Sequence, residues 1–215
     1  MDTPAPPGPA VGWDVLKASP TVLQPGDIVH MRWRGFIGSG VRWATRRAGE
    51  PRTWVNHSAL LVANNPAALL IEAVLKTRIR QPEVYEHFAD CRLIVQRHPD
   101  GLTPDQQRTI VRKGLEYEGD DYGVPKAVLH LLDHFLGDRY VFRRLARDNQ
   151  YPICSWVVAY AYGEARLDFG VEAKAAAPDD IMDYCVAQHW PVVWIDRADT
   201  LDLYYRVYPH ADRYG

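Results

Sequence analysis

The chain has 215 residues, 47% hydrophobic and 24% charged, with a formal net charge of -2. That is the balance of an ordinary globular protein, long enough for one domain with a substantial core, and the charge gives no global reason to expect nucleic acid or an anionic membrane as partner. Three cysteines, Cys91, Cys154 and Cys185, are an odd number without framework spacing, which argues against a disulfide scaffold and for a reducing compartment. The start, Met1 to Pro9, lacks the basic and apolar stretches of a secretory signal, and no later run is long enough to span a bilayer; cytoplasmic residence is the expectation.

In chain order, residues 1 to about 20 are Pro-rich and read as a flexible tail, with residues 21–215 forming a single domain. Leu23-Gln24-Pro25-Gly26-Asp27 is a turn that launches a strand from Ile28 to Trp33. A short helix is expected between Gly38 and Arg47. A strand then runs from Trp54 to Val62, followed by a turn at Asn64-Asn65-Pro66, a strand through Leu70-Ile71-Glu72-Ala73 and another over Cys91–Val95. Thr103-Pro104-Asp105-Gln106 is a helix start, with Thr103 as cap and proline in the first turn. A Gly119–Gly123 loop precedes an apolar helix over Val128–Phe135. Further helices open at Cys154, reaching to about Gly163, and at Pro178. Val192–Ile195 is a closing strand, and Leu203–Val207 is read as a further one. The composite is α+β: an antiparallel sheet drawn from the first half with the later helices packed on it.

The chemistry-bearing residues begin with His57 and Glu72. Side chains alternate along strands, so an even connection across Asn64-Asn65 puts both on one face. A two-residue loop sets His57 opposite Glu72; a four-residue loop, Asn64 to Ala67, sets Glu72 opposite Ala59 and diagonal to His57. In both cases the Cβ atoms lie within about 5 to 8 Å. An odd connection would separate them. Glu72 stands within an apolar run, Leu69-Leu70-Ile71 before it and Ala73-Val74-Leu75 after, where an acid needs a partner. A carboxylate beside an imidazole accepts its N–H, fixes its tautomer and stabilises the imidazolium.

Cys154 supplies the third group. It opens a helix that is apolar nearly all round, through Trp156, Val157, Val158, Ala159 and Tyr160, and such a helix is buried. A thiol at its N-terminal end feels the positive end of the peptide dipoles, which favours the thiolate. Cys185 and Cys91, by contrast, read as buried hydrophobes. Thiol, imidazole and carboxylate together make an activated nucleophile, its base and the group that orients the base.

The order Leu23-x-x-Gly26-Asp27-Ile28-Val29, then His57-Ser58-Ala59-Leu60-Leu61-Val62, then Ile71-Glu72-Ala73, then a late Cys154-Ser155 opening a helix, resembles the circularly permuted NlpC-type papain-like hydrolases, among whose relatives is lecithin:retinol acyltransferase. The resemblance covers about residues 23 to 165. It implies a permuted papain-like catalytic domain, with Cys154 as nucleophile, His57 as general base, Glu72 as the orienting residue and no cofactor or metal. The Asp121-Tyr122-Gly123 loop is similar to a segment lining the cleft in some members. The Asn-Cys-Glu-His signature of the retinol acyltransferase branch is missing. The implied chemistry is acyl transfer from an amide, ester or thioester, with a small-molecule, peptide or lipid-like substrate. The Cys154 backbone N–H is the natural oxyanion donor, and Asn149, Gln150 and Tyr122 are candidates for a side-chain donor.

Other features read more simply. His130 and His134 have a metal-ligand spacing, but Asp133 between them is not the glutamate of the zinc-protease motif, so a solvated or capping role is expected. Gly35, Gly38 and Gly40 lack the Lys-Ser/Thr ending of a phosphate loop. His98 reads as a surface residue. The arginines at Arg32, Arg34, Arg42, Arg46, Arg47 and Arg52, and those at Arg143, Arg144 and Arg147, read as solvated faces. The competing reading is a catalytically silent module that uses the same cleft and the Arg32–Arg52 segment to hold an anionic partner, such as a lipid head group or nucleic acid.

Overall fold

The computed structural model describes residues 8–33, 53–74, 76–121 and 154–211. Among the described residues there are seven strands: β1 (Ala10–Val11), β2 (Ile28–Trp33), β3 (His57–Ala63), β4 (Leu69–Ala73), β5 (Thr77–Arg80), β6 (Cys91–Gln96) and β7 (Val192–Ile195). They form one sheet in the order β1-β7-β6-β2-β3-β4-β5. Every neighbouring pair is antiparallel except β1 with β7, so the sheet is mixed where a purely antiparallel one from the first half was expected. The difference comes from β7, which returns from the second half to pair with β6 and leaves its far edge to the N-terminal residues. The protein is α+β.

Among the described residues the helices are α1 (Trp13–Ala18), α2 (Pro104–Leu115), α3 (Cys154–Glu164), α4 (Pro178–Ala187) and α5 (Ala198–Val207). The start of α2 is as the sequence indicates. Thr103 accepts from the Gln106 backbone N–H, and Gln106 accepts from the Thr103 N–H, a reciprocal capping box. The helix expected over Val128–Phe135, the one between Gly38 and Arg47, and His130, His134, Gly35, Gly38 and Gly40 lie outside the described residues.

The two faces of the sheet are covered differently. On one, Ile28, Leu60 and Ile71 meet Val157, Val158 and Ala161 of α3 and Ile110 of α2. Eight residues of α3, Cys154 to Ala159 with Ala161 and Tyr162, are buried, as its all-round apolar sequence dictates. At about 1.5–3 kcal/mol for each fully buried large aliphatic or aromatic side chain, α3 is a principal anchor of the fold. On the other face Val29, Met31, Ala59, Leu61, Leu70 and Leu93 pack with Trp13 and Leu16 of α1 and with Trp194.

That packing corrects the tail expectation. Residues 10–18 form β1 and α1, with Trp13 and Leu16 buried; a single Trp and Leu, spaced three apart on one turn, suffice to dock a short helix that proline-rich composition had masked. The C-terminal end is corrected too. Leu203–Val207 belongs to α5, which buries Thr200 and Tyr204, four residues apart, on one stripe. The run Leu203-Tyr204-Tyr205 has strand-like composition, but the helical spacing of its buried residues prevails.

The turn before β2 rests on two residues. Gly26 sits at φ +99°, where an L side chain is strained. Asp27 accepts from the Gln24 backbone N–H at 2.7 Å and is clasped by Arg97, just beyond β6, at 2.9 and 2.8 Å. Burial pushes the Asp27 carboxyl up, and Arg97 and the Gln24 N–H offset only part of that, leaving it above its ordinary value. The hydroxyl of Tyr162 on α3 donates to the Gly26 carbonyl at 2.6 Å, tying the Cys154 helix to the start of β2.

Candidate active site

The β3–β4 hairpin decides whether His57 and Glu72 meet. β3 ends at Ala63 and β4 begins at Leu69, so five residues connect them, an odd number. The ladder nevertheless pairs Leu60 with Ile71 and Leu61 with Leu70, and shifts by one residue between Leu61 and Ala63. This bulge at Val62 restores the parity that the odd loop would have lost. Continuing the Leu60–Ile71 register by one residue sets Glu72 across from Ala59, diagonal to His57, the same placement an even four-residue loop would produce. The Asn64 side chain donates to the Leu23 carbonyl at 2.6 Å and pins the connection against the neighbouring turn.

In that register His57 Nε2 donates to Glu72 Oε2 at 2.9 Å. Glu72 is buried, 1% exposed, and does not depend on His57 alone. The Tyr85 hydroxyl reaches both carboxylate oxygens, at 2.5 and 2.6 Å, and Arg80 Nε lies 3.1 Å from Oε1. Burial pushes the Glu72 carboxyl up, but the bond and charge of His57, the Tyr85 hydroxyl and the Arg80 charge outweigh it and hold the group below its usual value.

Cys154, 5% exposed, comes to His57 from the helix side. The thiol and the imidazole lie close enough for each to shift the other's ionisation. With Nε2 engaged by Glu72, Nδ1 is the ring nitrogen left for sulfur. The nearby backbone N–H groups of Ser58 and Ser155 also favour the charged form of the sulfur. Burial opposes charge on both partners. The attraction between the opposite charges prevails, holding the thiol below its ordinary value of 9.0 and raising His57 to about 10, with Glu72 assisting. The favoured state is a thiolate–imidazolium pair, with a carboxylate behind the ring.

The remaining buried thiols and histidine behave otherwise. Burial pushes Cys91 up to about 12 and Cys185 well above the ordinary thiol value, so both stay protonated. His30 on β2 is fully buried beside Ser58, its Nδ1 3.4 Å from the Ser58 hydroxyl; burial lowers it to about 3 and keeps it neutral. Two histidines on adjacent strands are thus held in opposite charge states by their surroundings. His98 is half-buried against Trp190, with ring centroids 5.0 Å apart.

All three sequence-nominated residues, Cys154, His57 and Glu72, come together. Tyr85 and Arg80 were missed. The proposed side-chain oxyanion donors Tyr122, Asn149 and Gln150 lie outside the described residues, as do Arg143 to Arg147 and, from the Arg32–Arg52 segment of the anionic-partner reading, Arg34 to Arg52. Arg80 carried a weak signal: Thr77-Arg78-Ile79-Arg80 alternates like a strand, and a β5 beside β4 would set its arginines on the Glu72 face, with Arg78 directly across from Glu72. Tyr85 carried none, since it ends a single 3-10 turn, Pro82–Tyr85, whose docking is purely tertiary.

What the fold and site define is an α+β protein in which a thiol meets an imidazole that is hydrogen-bonded to a carboxylate beside a mixed sheet. Its structure is similar to the crystal structure of metalloprotein yiiX from Escherichia coli O157:H7 (DUF1105), with a TM-score of 0.51 over 79% of this chain and 88% of that one, at 18% sequence identity. At that identity the likeness shows the fold alone. No protein-family model and no curated protein matches the sequence. Among the described residues there is no group of three or more His, Cys, Asp or Glu side chains that could hold a metal ion, and no helix is long and apolar enough to cross a membrane.

Proposed function

We propose that the protein is a cysteine-dependent hydrolase or acyltransferase of the permuted NlpC-type papain-like kind, acting on an amide, ester or thioester. The observation that carries this reading is the meeting of Cys154, at the start of α3, with a His57 hydrogen-bonded to Glu72, the thiol depressed and the imidazole raised. A buried thiol kept only for packing is pushed the other way, as Cys185 is.

The thiolate of Cys154 attacks the acyl carbonyl, forming a C–S bond. The oxyanion gathers charge near the N-terminus of α3, where the Cys154 backbone N–H is available to donate. As the tetrahedral adduct collapses, the bond to the leaving group breaks and the His57 imidazolium gives that group its proton. The now neutral His57 takes a proton from water or from an acceptor hydroxyl or amine, which attacks the thioester. The C–S bond then breaks, and thiolate and imidazolium are restored. Glu72 holds the ring in one orientation throughout and favours its charged form.

The reading is tested by incubating the protein with a panel of activated acyl esters and thioesters, quenching in acid and mapping the acyl mass to a residue. The expected result is a single acyl group on Cys154 that disappears on standing at neutral pH. Acyl groups spread over lysines, or a label on Cys91 or Cys185 with none on Cys154, would refute it.

A further inference from the structure

Glutamate is a hazardous choice for the residue behind a catalytic imidazole. A buried carboxylate tends to take a proton, and a protonated Glu72 would no longer favour the imidazolium on which the thiolate depends. The side chain of Glu72 is wholly buried, so its charge needs donors besides His57. The structure supplies them from two further elements. Tyr85, at the end of the 3-10 turn, spans both carboxylate oxygens, and Arg80 of β5 lies against Oε1 from the half-exposed side.

We propose that Tyr85, seconded by Arg80, is a positioning residue of this site: its hydroxyl locks the Glu72 carboxylate onto His57 Nε2 and keeps it ionised. The inference rests on the functional reading above and extends it by one residue beyond the three-membered chain. The geometry suits the task. A hydroxyl shared between Oε1 and Oε2 fixes the plane of the carboxylate as well as its charge, leaving Oε2 directed at His57. The phenol itself is held still. Its ring packs against Trp33 and Phe88, with centroids 6.0 and 6.1 Å away, and those two rings stack on each other at 5.8 Å. Burial and the adjoining carboxylate push the Tyr85 hydroxyl far above its ordinary value, so it remains a donor at every pH the protein meets.

Among the described residues, the charged and titratable groups that face Glu72 are few. His57 approaches from β3, Arg80 and the exposed Arg78 from β5, Tyr85 from the 3-10 turn, and Cys91 of β6 lies near enough to feel the carboxylate. Cys91 is protonated and Arg78 is exposed, so loss of the Tyr85 hydroxyl leaves Arg80 and His57 as the donors among the described residues.

Tyr85→Phe removes one hydroxyl and retains the ring in its aromatic setting. The Glu72 carboxyl is followed through a pH titration by carbon-13 NMR in the wild-type protein and in this variant, and the rate of Cys154 alkylation by iodoacetamide is measured over the same range. The expected result is a Glu72 pKa raised by about one unit, the order of a lost hydrogen bond to a carboxylate, with the acid limb of the alkylation profile displaced in the same direction. A merely structural tyrosine would lower thermal stability and leave both titrations in place. A Glu72 titration unmoved in Tyr85→Phe overturns the proposal whatever happens to stability. The carboxyl titration does not require Cys154 to be a nucleophile: an ordinary thiol in the wild-type protein would defeat the functional reading, while the Glu72 shift would still decide the role of Tyr85.

Discussion

Replacing Cys154 with alanine is expected to reduce turnover of an activated acyl ester by at least about 10⁴-fold, the order seen when a catalytic nucleophile is removed, with the folded structure retained. The size of the effect follows from the chemistry. No other described side chain can take the place of sulfur: Cys91 and Cys185 are buried and held protonated, and Ser155 is committed to the Ala176 carbonyl at 2.7 Å. Retention of the fold follows from the site's position. Cys154 is the first residue of α3, and the packing of that helix comes from Trp156, Val157, Val158, Ala161 and Tyr162. The variant loses a small buried atom and an ion pair whose desolvation offsets much of its attraction, so unfolding free energy should change by no more than about 2 kcal/mol. Circular dichroism and thermal melting check the fold, and initial rates check the loss. Turnover within tenfold of wild type would remove Cys154 from the mechanism.

His57→Ala is the second large effect, and it has two separable parts. The thiol loses the partner that holds its pKa down, while the burial that pushes it up remains. Its pKa should therefore pass from below the ordinary 9.0 to above it. Each unit is tenfold in thiolate at a pH below the pKa, so alkylation of Cys154 at pH 7 should slow by about 100-fold or more. Turnover should fall further than alkylation, because no imidazolium remains to protonate the leaving group and no base to activate water. The comparison of the two rates is the informative quantity. Equal losses would mean that His57 serves only to ionise the thiol; a turnover loss no larger than that of a distant surface variant would mean it serves neither purpose.

The same pair has a consequence for stability. His57, with its pKa raised in the folded protein to about 10, contributes stability that is complete below its unfolded value near 6.5 and is lost as pH rises through about 10. Glu72 and Cys154, both depressed, contribute in the opposite sense. Their stabilisation is complete above the unfolded values and is lost as pH falls through the folded ones. The cluster is therefore best held between the acid limb of Glu72 and Cys154 and the alkaline limb of His57.

Much of the site was legible because its logic is local or periodic. Cys154 could be recognised from a helix too apolar to lie on a surface. His57 and Glu72 could be paired from strand parity, and an acid between Ile71 and Ala73 announced that it had a partner. Yet the parity argument reached the observed placement by a route the chain does not take. The connection is five residues long, and a bulge at Val62, which no turn motif signals, compensates for the odd count. Tyr85, α1 and the parallel β1–β7 pair were not legible, since each depends on which distant surface a short segment meets, and Arg80 left only the weak alternation of Thr77 to Arg80. Two buried residues, Trp13 and Leu16, are too few to form a period, and a lone tyrosine after a 3-10 turn has no pattern at all. The helix at Ala198–Val207 was obscured by the opposite problem: its aromatic and branched residues have strand-like composition, and only the burial of Thr200 and Tyr204 on one stripe reveals the helical period.

The most direct test of the central claim is the pH dependence of Cys154 alkylation in the wild-type protein, read by peptide mapping so that Cys91 and Cys185 are scored separately. A thiolate paired with the His57 imidazolium predicts a midpoint below the ordinary thiol value of 9.0, with Cys91 and Cys185 unreactive across the same range. A Cys154 midpoint at or above that value would contradict the pairing, and with it the assignment of Cys154 as nucleophile.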